Sequence, residues 1–206
     1  MIPTRIGQKF NGVYLAGINR IKNCAYLILV APKSTEDSIP FKTHWGSAPG
    51  TQLVNDGWTN TNAMNDSAHP AAQYCRSLTV SGHTDLYLPS RDELELCYRV
   101  FKPTGQSNTT YTAGTYTGNL SLANGTNLNS IPTGAAYTKT DPAQTIVTAF
   151  RLGNVEAFDT DWYWTSTASS SSTIGSLIQH FSNGGQDWVN KTLVNRVRGV
   201  RRVLID

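Results

Sequence analysis

The sequence is poor in charged residues and contains no long hydrophobic run. Only 15% of its 206 residues are charged, whereas 39% are hydrophobic, and this balance excludes a disordered tail. The longest apolar run, residues 25–32, is far shorter than the ~20 residues that a membrane-spanning helix needs. The first residues also lack the apolar centre of a secretion signal. We therefore expect no membrane insertion and no signal peptide in this chain.

Side chains in the spacing of a metal or catalytic site are also missing. The three cysteines show no CxxC spacing and permit at most one disulfide, and the four histidines show no HxxxH or HExxH spacing. These residues are Cys24, Cys75, Cys97, His44, His69, His83 and His180. No G-x-S-x-G motif accompanies them. We expect no enzyme, no cofactor and no bound metal, with Cys97 in the core and the histidines isolated.

The net charge of +3 does not favour nucleic-acid binding, because it arises partly from one cluster, residues 196–202, rather than from a basic face. Polarity comes instead from Ser, Thr, Asn and 17 Gly, a composition that suits a virion or extracellular protein. A phage structural protein and a piece cut from a longer chain fit this composition equally. One domain, 1–206, is the simplest organisation.

Strand patterns open and close the chain. Residues 10–21 and 24–31 predict a hairpin within an opening segment, 1–35, with its turn at Lys22-Asn23. Further strands are predicted at 162–165, 177–181, 187–190 and 197–205, with a turn at Asn183-Gly184-Gly185. Consecutive strand positions face opposite sides of a sheet, so Trp162 and Trp164 are predicted to share one face and Tyr163 to lie on the other.

Helical patterns occupy the middle. Residues 59–78 have helical spacing with Pro70 in a first turn. Ser90 and Glu93 form a capping box that begins a helix ending before Pro103. A further helix is predicted after Asp141-Pro142, with Ile146, Val147 and Phe150 on its apolar face.

Two irregular regions are expected between these elements. Residues 40–58 predict a loop held to the core by Phe41, Trp45 and Trp58. Residues 104–140 form a polar insert, which we expect to be exposed and variable, with a few apolar anchors. The anchors are Tyr111, Tyr116, Leu120, Leu122, Leu128, Ile131 and Tyr137. Strands around a helical middle indicate an α+β domain.

A series of short motifs resembles a known family. They occur in the order Asp85-Leu-Tyr-Leu-Pro-Ser-Arg-Asp-Glu-Leu94, Glu156-Ala-Phe158, Trp162-Tyr-Trp-Thr-Ser-Thr167, Phe181-Ser-Asn-Gly184 and Val197-Arg-Gly-Val-Arg201. In this order they resemble the C-type-lectin-like domains found at the C-terminus of the Legionella collagen-like adhesin, which recur in bacterial surface proteins and phage tail fibres. The resemblance covers roughly residues 56–203.

The resemblance implies a C-type-lectin-like fold with the N- and C-terminal strands in one sheet, two or three helices and long loops. It implies binding rather than chemistry. The chain departs from the family pattern at Leu86-Tyr87, where a tryptophan is frequent. It also lacks the Glu-Pro-Asn or Gln-Pro-Asp tripeptide of calcium-dependent lectins, so calcium-mediated sugar binding does not carry over.

We predict a recognition surface on loop 165–175 and hairpin 183–190, with Trp188 as its aromatic anchor. Hydroxyl and amide side chains beside an aromatic ring suit sugars or protein loops. The other predicted contacts are Thr167, Ser169, Asn183, Gln186, Asp187 and Asn190. A plain flexible loop and a Trp188 packed in the core are the alternatives.

Charged residues near the C-terminus have several interpretations. Arg198 and Arg201 are predicted to bind carboxylates and to tie the last strand to the helix that begins after Ser90. Arg202 is the candidate for capturing an acidic glycan or a phosphate. Residues 156–161 carry Glu156, Asp159 and Asp161, for which a solvated acidic turn is favoured over a calcium site.

We therefore expect a non-enzymatic receptor-binding or adhesion module, located in a virion tail or at a cell surface, as at a phage tail-fibre tip. Its expected partners are a bacterial cell-surface receptor, either protein or glycan, and other tail or surface-assembly proteins. A structural virion or assembly protein that uses the same fold for subunit contacts is the alternative. Self-association into a homo-oligomer stays open.

Overall fold

Strands open and close the chain around a helical middle in the computed structural model, which describes residues 3–110 and 122–205. The strands are β1 (Lys9–Phe10), β2 (Val13–Ile21), β3 (Cys24–Val30), β4 (Asp37–Pro40), β5 (Ser130–Ile131), β6 (Trp162–Ala168), β7 (Gly175–His180), β8 (Gln186–Asn190), β9 (Val194–Val197) and β10 (Val200–Leu204). The helices are α1 (Gly57–Ala63), α2 (Pro70–Ser77) and α3 (Arg91–Phe101). The α+β class is confirmed.

The first sheet joins the two ends of the chain. Its strand order is β1-β2-β3-β10, with β5 paired to β2. The predicted hairpin forms, with Ile21 opposite Cys24 around the Lys22-Asn23 turn. Antiparallel pairing of Val200 with Val30 brings β10 beside β3, as predicted. The predicted strand 197–205 is interrupted, however, because Val197 belongs to β9 in the second sheet.

The second sheet has the order β4-β9-β6-β7-β8. Each predicted strand of the region 162–190 is present, and β6 continues to Ala168. Tyr163 and Trp164 point to opposite faces and are both fully buried. The centre of this sheet is therefore covered on both faces.

Helix α3 begins with the predicted capping box. The Ser90 amide donates to Glu93 Oε2 at 2.8 Å, and the Glu93 amide donates to Ser90 Oγ at 3.5 Å. The helix ends at Phe101, before Pro103. Its apolar stripe, which includes Cys97, is buried as predicted, and it packs against strands of both sheets.

The helical region 59–78 is divided into α1 and α2. The Asp56 carboxylate accepts from the Thr59 amide and caps α1. Pro70 is the first residue of α2, as expected from its fixed φ and missing amide hydrogen.

The prediction of a helix after Asp141-Pro142 is wrong. Only a short 3-10 turn, Thr148–Phe150, forms there. The Pro142 carbonyl accepts from Lys102 Nζ at 3.1 Å, and the Thr145 amide donates to the Lys102 carbonyl at 2.9 Å. These bonds to the end of α3 take the backbone groups that a new helix would pair internally. Phe150 is buried and Val147 packs against the core, but Ile146 is 87% exposed, so the three residues do not share the predicted apolar face.

The loop 40–58 is held differently from the prediction. Phe41 is buried as expected, and Trp58 lies in α1 with its ring 5.9 Å from that of Tyr87. Trp45, in contrast, is 69% exposed. Lys42 holds the loop instead, because its Nζ donates to the Ser47 carbonyl at 2.6 Å.

The described parts of the insert 104–140 are less exposed than predicted. Asn108, Asn124 and Asn127 are buried, and their amide groups donate to backbone carbonyls of neighbouring segments. Tyr137 is a buried anchor, Leu122 and Ile131 are half-buried, and Leu128 is exposed. Asparagine bonds therefore hold much of this polar segment in place. The predicted anchors Tyr111, Tyr116 and Leu120 lie outside the described residues.

Two arginines bind carboxylates, as predicted, but not those of α3. Arg198 is fully buried, with Nη2 3.1 Å from Glu156 Oε2 and Nη1 3.8 Å from Glu36 Oε2. Arg201 forms a two-point contact with Asp85, with both N–O distances 2.9 Å. The role of tying the last strand to α3 is wrong, since these carboxylates lie on loops outside that helix.

Replacing Arg198 with Met should destabilise the protein far more than replacing Arg201 with Met. The first change leaves two carboxylates buried without their guanidinium partner, which we expect to cost ~3–5 kcal/mol of unfolding free energy. The second breaks a partly exposed pair worth about 0–1 kcal/mol. Urea denaturation of both variants tests this, and equal losses would contradict the central role of Arg198.

Glu93 should make stability depend on pH. Its carboxylate is buried and accepts from the Ser90 and Gly57 amides and the Tyr87 hydroxyl. Burial raises the pKa of Glu93 from 4.5 to about 7. Because the folded pKa exceeds the unfolded one, the contribution of Glu93 is complete below pH 4.5 and is lost as the pH rises towards about 7.

The variant Glu93→Gln should lack this dependence. We expect the stability of the wild type relative to Glu93→Gln to fall between pH 4.5 and 7 in urea titrations. Asp141→Asn, at an exposed carboxylate, serves as the control. A wild-type advantage that stays constant with pH would show that Glu93 does not titrate in this window.

Candidate functional site

The structure splits the predicted recognition surface between the two ends of the second sheet. The turn between β6 and β7 meets the end of β8 at one end, whereas the 183–185 turn between β7 and β8 lies at the opposite end. The Ser169 amide donates to the Gly175 carbonyl at 3.1 Å, which closes the turn. The Lys191 amide donates to the Ile174 carbonyl at 2.9 Å, which joins the turn to the residue after β8. Residues 170–174 are exposed or half-buried, so the exposed loop is shorter than the predicted 165–175.

Trp188 lies on β8, the edge strand of the second sheet, and is 36% exposed. Its ring rests against the backbone of Gly175 on β7. A Cβ atom at Gly175 would lie 2.4 Å from Trp188 Cε3, so only glycine leaves room for the indole. The side chain is therefore partly packed and partly available to a ligand.

Three of the predicted contact residues are buried and serve the fold. Thr167 Oγ1 accepts from the Arg91 amide at 3.0 Å and donates to the Leu53 carbonyl at 2.9 Å. Gln186 Oε1 accepts from Arg91 Nη2 at 3.0 Å. Ser169 is also buried, with Oγ 3.1 Å from Ser171 Oγ. The prediction fails for Thr167, which lies on the covered strand β6, and for Gln186, whose side chain is enclosed by Arg91 and the Gly125 amide at the opposite end of β8.

The other hairpin residues are half-buried and shape local turns. Asn183 Oδ1 accepts from the Gly185 amide, Asp187 Oδ1 from the Trp188 amide, and Asn190 Oδ1 from the Thr192 amide. Burial also raises the pKa of Asp187. Asp187 and Asn190 lie on β8, the strand that leads to the β6–β7 turn. Asn183 lies at the opposite end of β7, where its carbonyl accepts from the Thr109 amide, so the prediction fails for Asn183.

Arg202 is not available as a free anion-binding group. Its Nη1 lies 2.7 Å from Asp56 Oδ1, and its guanidinium lies 4.8 Å from the centre of the Tyr26 ring. The cap residue of α1 already neutralises this arginine, which corrects the prediction of glycan or phosphate capture there.

The acidic segment 156–161 is paired with cations. Glu156 is buried against Arg198, and Asp159 and Asp161 lie 3.0 Å and 3.6 Å from nitrogen atoms of Arg196. Glu156 is thus not part of a solvated turn. Across residues 3–110 and 122–205, no group of three or more His, Cys, Asp or Glu side chains is arranged to hold a metal ion.

A small polar cavity opens at the end of the sheet where the β6–β7 turn lies. Its volume is about 100 Å³, and residues 47–52, residues 168–173 and Lys191 contribute to its lining. Hydroxyl groups of Ser47, Ser169, Ser172 and Thr173 belong to the lining residues. The cavity therefore combines hydrogen-bonding groups with one cationic side chain.

Lys191 is the cation of this cavity and is only 1% exposed. Its Nζ donates to the Thr173 carbonyl at 2.7 Å and to the Gly46 carbonyl at 3.2 Å. Lys42 is also buried and binds the Ser47 carbonyl on the same loop. Burial, and to a lesser extent the positive charge of Lys42, lowers the pKa of Lys191 to about 8.

Neither ammonium group has a carboxylate partner. Within the described ranges, no Asp or Glu oxygen lies within 4.0 Å of Lys42 Nζ or Lys191 Nζ. Trp45, the most exposed tryptophan, precedes Gly46 on the loop that both lysines hold. The arrangement offers a cation and hydroxyl groups in a recess, with an aromatic ring on an adjoining loop.

No sequence pattern indicates the two lysines, because a buried lysine is rare and has no pattern of its own. Trp45 was assigned to the core on its aromatic character alone. Lys191 lies close to Trp188 in the sequence, and this is the one sequence feature that places Lys191 near the predicted surface.

Two buried glutamates and two buried cysteines outside the cavity have structural surroundings. The carboxylates of Glu93 and Glu95 are buried and accept hydrogen bonds within the fold. Burial raises the pKa of the Cys75 and Cys97 thiols far above the usual value, which keeps them protonated. These groups serve packing, and the cavity is the feature suited to ligand contact.

Comparison with known proteins adds no relatives to this description. No protein-family model matches the chain, and no curated protein matches it. Within the described residues, none of the helices has the length and apolar character needed to cross a membrane.

Replacing Gly175 with Ala should displace the Trp188 ring. We expect a loss of ~1–3 kcal/mol in unfolding free energy and a red shift of tryptophan fluorescence in the folded protein. Gly105, where an added Cβ meets nothing within 4 Å, provides the control Gly105→Ala. Wild-type fluorescence in Gly175→Ala would show that the indole does not rest on this glycine.

Proposed function

We propose that the protein is a non-enzymatic receptor-binding module that recognises a bacterial surface receptor through the end of its second sheet. The observation that carries this proposal is the hydroxyl-lined cavity with its buried lysine, next to a loop with the exposed Trp45. Recessed polar groups fix the orientation of a ligand, and exposed aromatic rings supply contact area at a small entropy cost. Trp188, half packed on Gly175, extends the surface along the edge strand.

We further propose that the fold is C-type-lectin-like. In support, strands from both ends of the chain pair in one sheet. The motifs that resemble the family lie on strands or at the ends of helices and strands. The Leu88-Pro89-Ser90 segment leads into α3, and the Trp162 motif is β6. The Val197–Arg201 motif spans the crossing from β9 to β10.

We infer the location and the partners of the module from the same resemblance. A receptor-binding domain of this kind acts at the tip of a phage tail fibre or in a similar surface assembly, so its location is a virion tail or a cell surface. Its partners are a bacterial receptor, protein or glycan, and neighbouring tail or surface proteins. Binding without catalysis agrees with the buried, hydrogen-bonded state of Glu93 and Glu95.

Binding of the purified chain to whole bacteria tests the proposal. We expect Trp45→Ala and Trp188→Ala to weaken binding by about thirtyfold, the loss typical of an aromatic anchor. Ile146→Ala, at an exposed apolar residue outside the cavity lining, is the control and should bind normally. Melting curves must show that each variant is folded, since Trp188 also packs on Gly175.

The result would contradict the proposal if folded Trp45→Ala and Trp188→Ala both bound bacteria as well as the wild type. The alternative role, subunit contact within a virion or surface assembly, predicts a different outcome. In that case sedimentation would show a wild-type oligomer that both substitutions dissociate, with no saturable binding to cells.

A further inference from the structure

The cavity at the end of the second sheet holds a positive charge that the described protein residues do not neutralise. Burying an ammonium group is costly unless a counter-charge or hydrogen bonds compensate. For Lys191, two backbone carbonyls provide partial compensation. An ammonium group has three N–H donors, so one donor of Lys191 remains for a group inside the cavity.

Lys42 increases the local positive charge. Its ammonium group is close enough to contribute to the lowered pKa of Lys191. The carboxylate of Asp66 hydrogen-bonds to His69, with its Oδ1 2.8 Å from His69 Nδ1, and does not contact either ammonium group. Burial, together with the positive charges of Lys42 and Lys191, lowers the pKa of His69, so His69 is neutral near neutral pH and the negative charge of Asp66 offsets only part of the charge of the two lysines.

The size of the cavity limits what can enter it. A volume of about 100 Å³ corresponds to a few water molecules at ~30 Å³ each. This space accommodates a carboxylate, sulfate or phosphate group. The serine and threonine hydroxyls of the lining can donate hydrogen bonds to anionic oxygen atoms.

We propose that this cavity binds the oxyanion group of an acidic glycan, with Lys191 as its charge partner and the lining hydroxyls as further donors. The rest of the sugar lies outside the cavity, where the exposed Trp45 of the adjoining loop offers an apolar face. This inference rests on the proposed receptor-binding function and names its ligand class. It places anion capture at Lys191 instead of Arg202.

Titration of the wild-type protein with small anions is the direct test. Sodium sulfate, sodium phosphate and sodium galacturonate are added at constant ionic strength, with galactose and sodium chloride as neutral-sugar and salt controls. We expect saturable binding of at least one oxyanion by calorimetry, and an upward shift of the Lys191 pKa measured by NMR of its side chain. Comparing the anions separates carboxylate from sulfate and phosphate preference.

Variants locate the site. Lys191→Met should weaken oxyanion binding by at least about tenfold, the loss expected for one charge-assisted hydrogen bond. Lys139→Met removes the same charge at an exposed position and should bind normally. Thr173→Asp places a negative charge at the exposed rim of the cavity, and it should weaken binding even if Lys191→Met fails to fold.

The proposal is overturned if the wild type shows no saturable oxyanion binding, or if folded Thr173→Asp binds the anions as well as the wild type. Failure of this inference differs from failure of the proposed function. If cell binding depends on Trp45 but is unaffected by Thr173→Asp, the receptor contact is neutral and only the inference fails. If oxyanions bind but cells do not, the receptor-binding function fails while the anion site remains.

Discussion

The buried guanidinium of Arg198 is the contact on which the arrangement of the two sheets depends. It lies between β9 of the second sheet and β10 of the first, where the chain crosses from one to the other. Its Nε donates to the Ala31 carbonyl after β3, and its Nη1 to the Glu156 carbonyl. The Cζ atom of the guanidinium lies 4.4 Å from the centre of the Phe158 ring. One side chain thus connects both sheets with the loop before β6.

The polar end of the second sheet follows from this crossing. With β9 fixed beside β6, the hairpin β7–β8 extends to the outer edge, and the residue after β8 is Lys191. Its side chain turns inward because the carbonyls of Gly46 and Thr173 are within reach of Nζ. The Arg198 contact at the centre and the small cavity at the edge therefore both depend on the strand order.

Elements with a local signal were predictable from the sequence. The capping box at Ser90 and the β2–β3 turn depend on neighbours within a few residues, and both are present. Contacts between distant residues were not predictable. The segment after Asp141 gives its backbone bonds to Lys102 rather than to its own helix, and Arg202 is neutralised by Asp56, which precedes it by most of the chain. The cavity was missed for the same reason, since its lysine binds loops that are remote in sequence.

The two buried lysines donate their hydrogen bonds to main-chain carbonyls rather than to side chains. Every residue carries a carbonyl, so the conformation of the loops at residues 42–47 and 170–174 does not depend on which side chains occupy their exposed positions. Substitutions there can alter the chemical character of the surface while Lys42 and Lys191 maintain its shape. The architecture separates the groups that hold these loops from the side chains exposed on them, so the specificity of the proposed receptor-binding surface could diversify without rebuilding the domain.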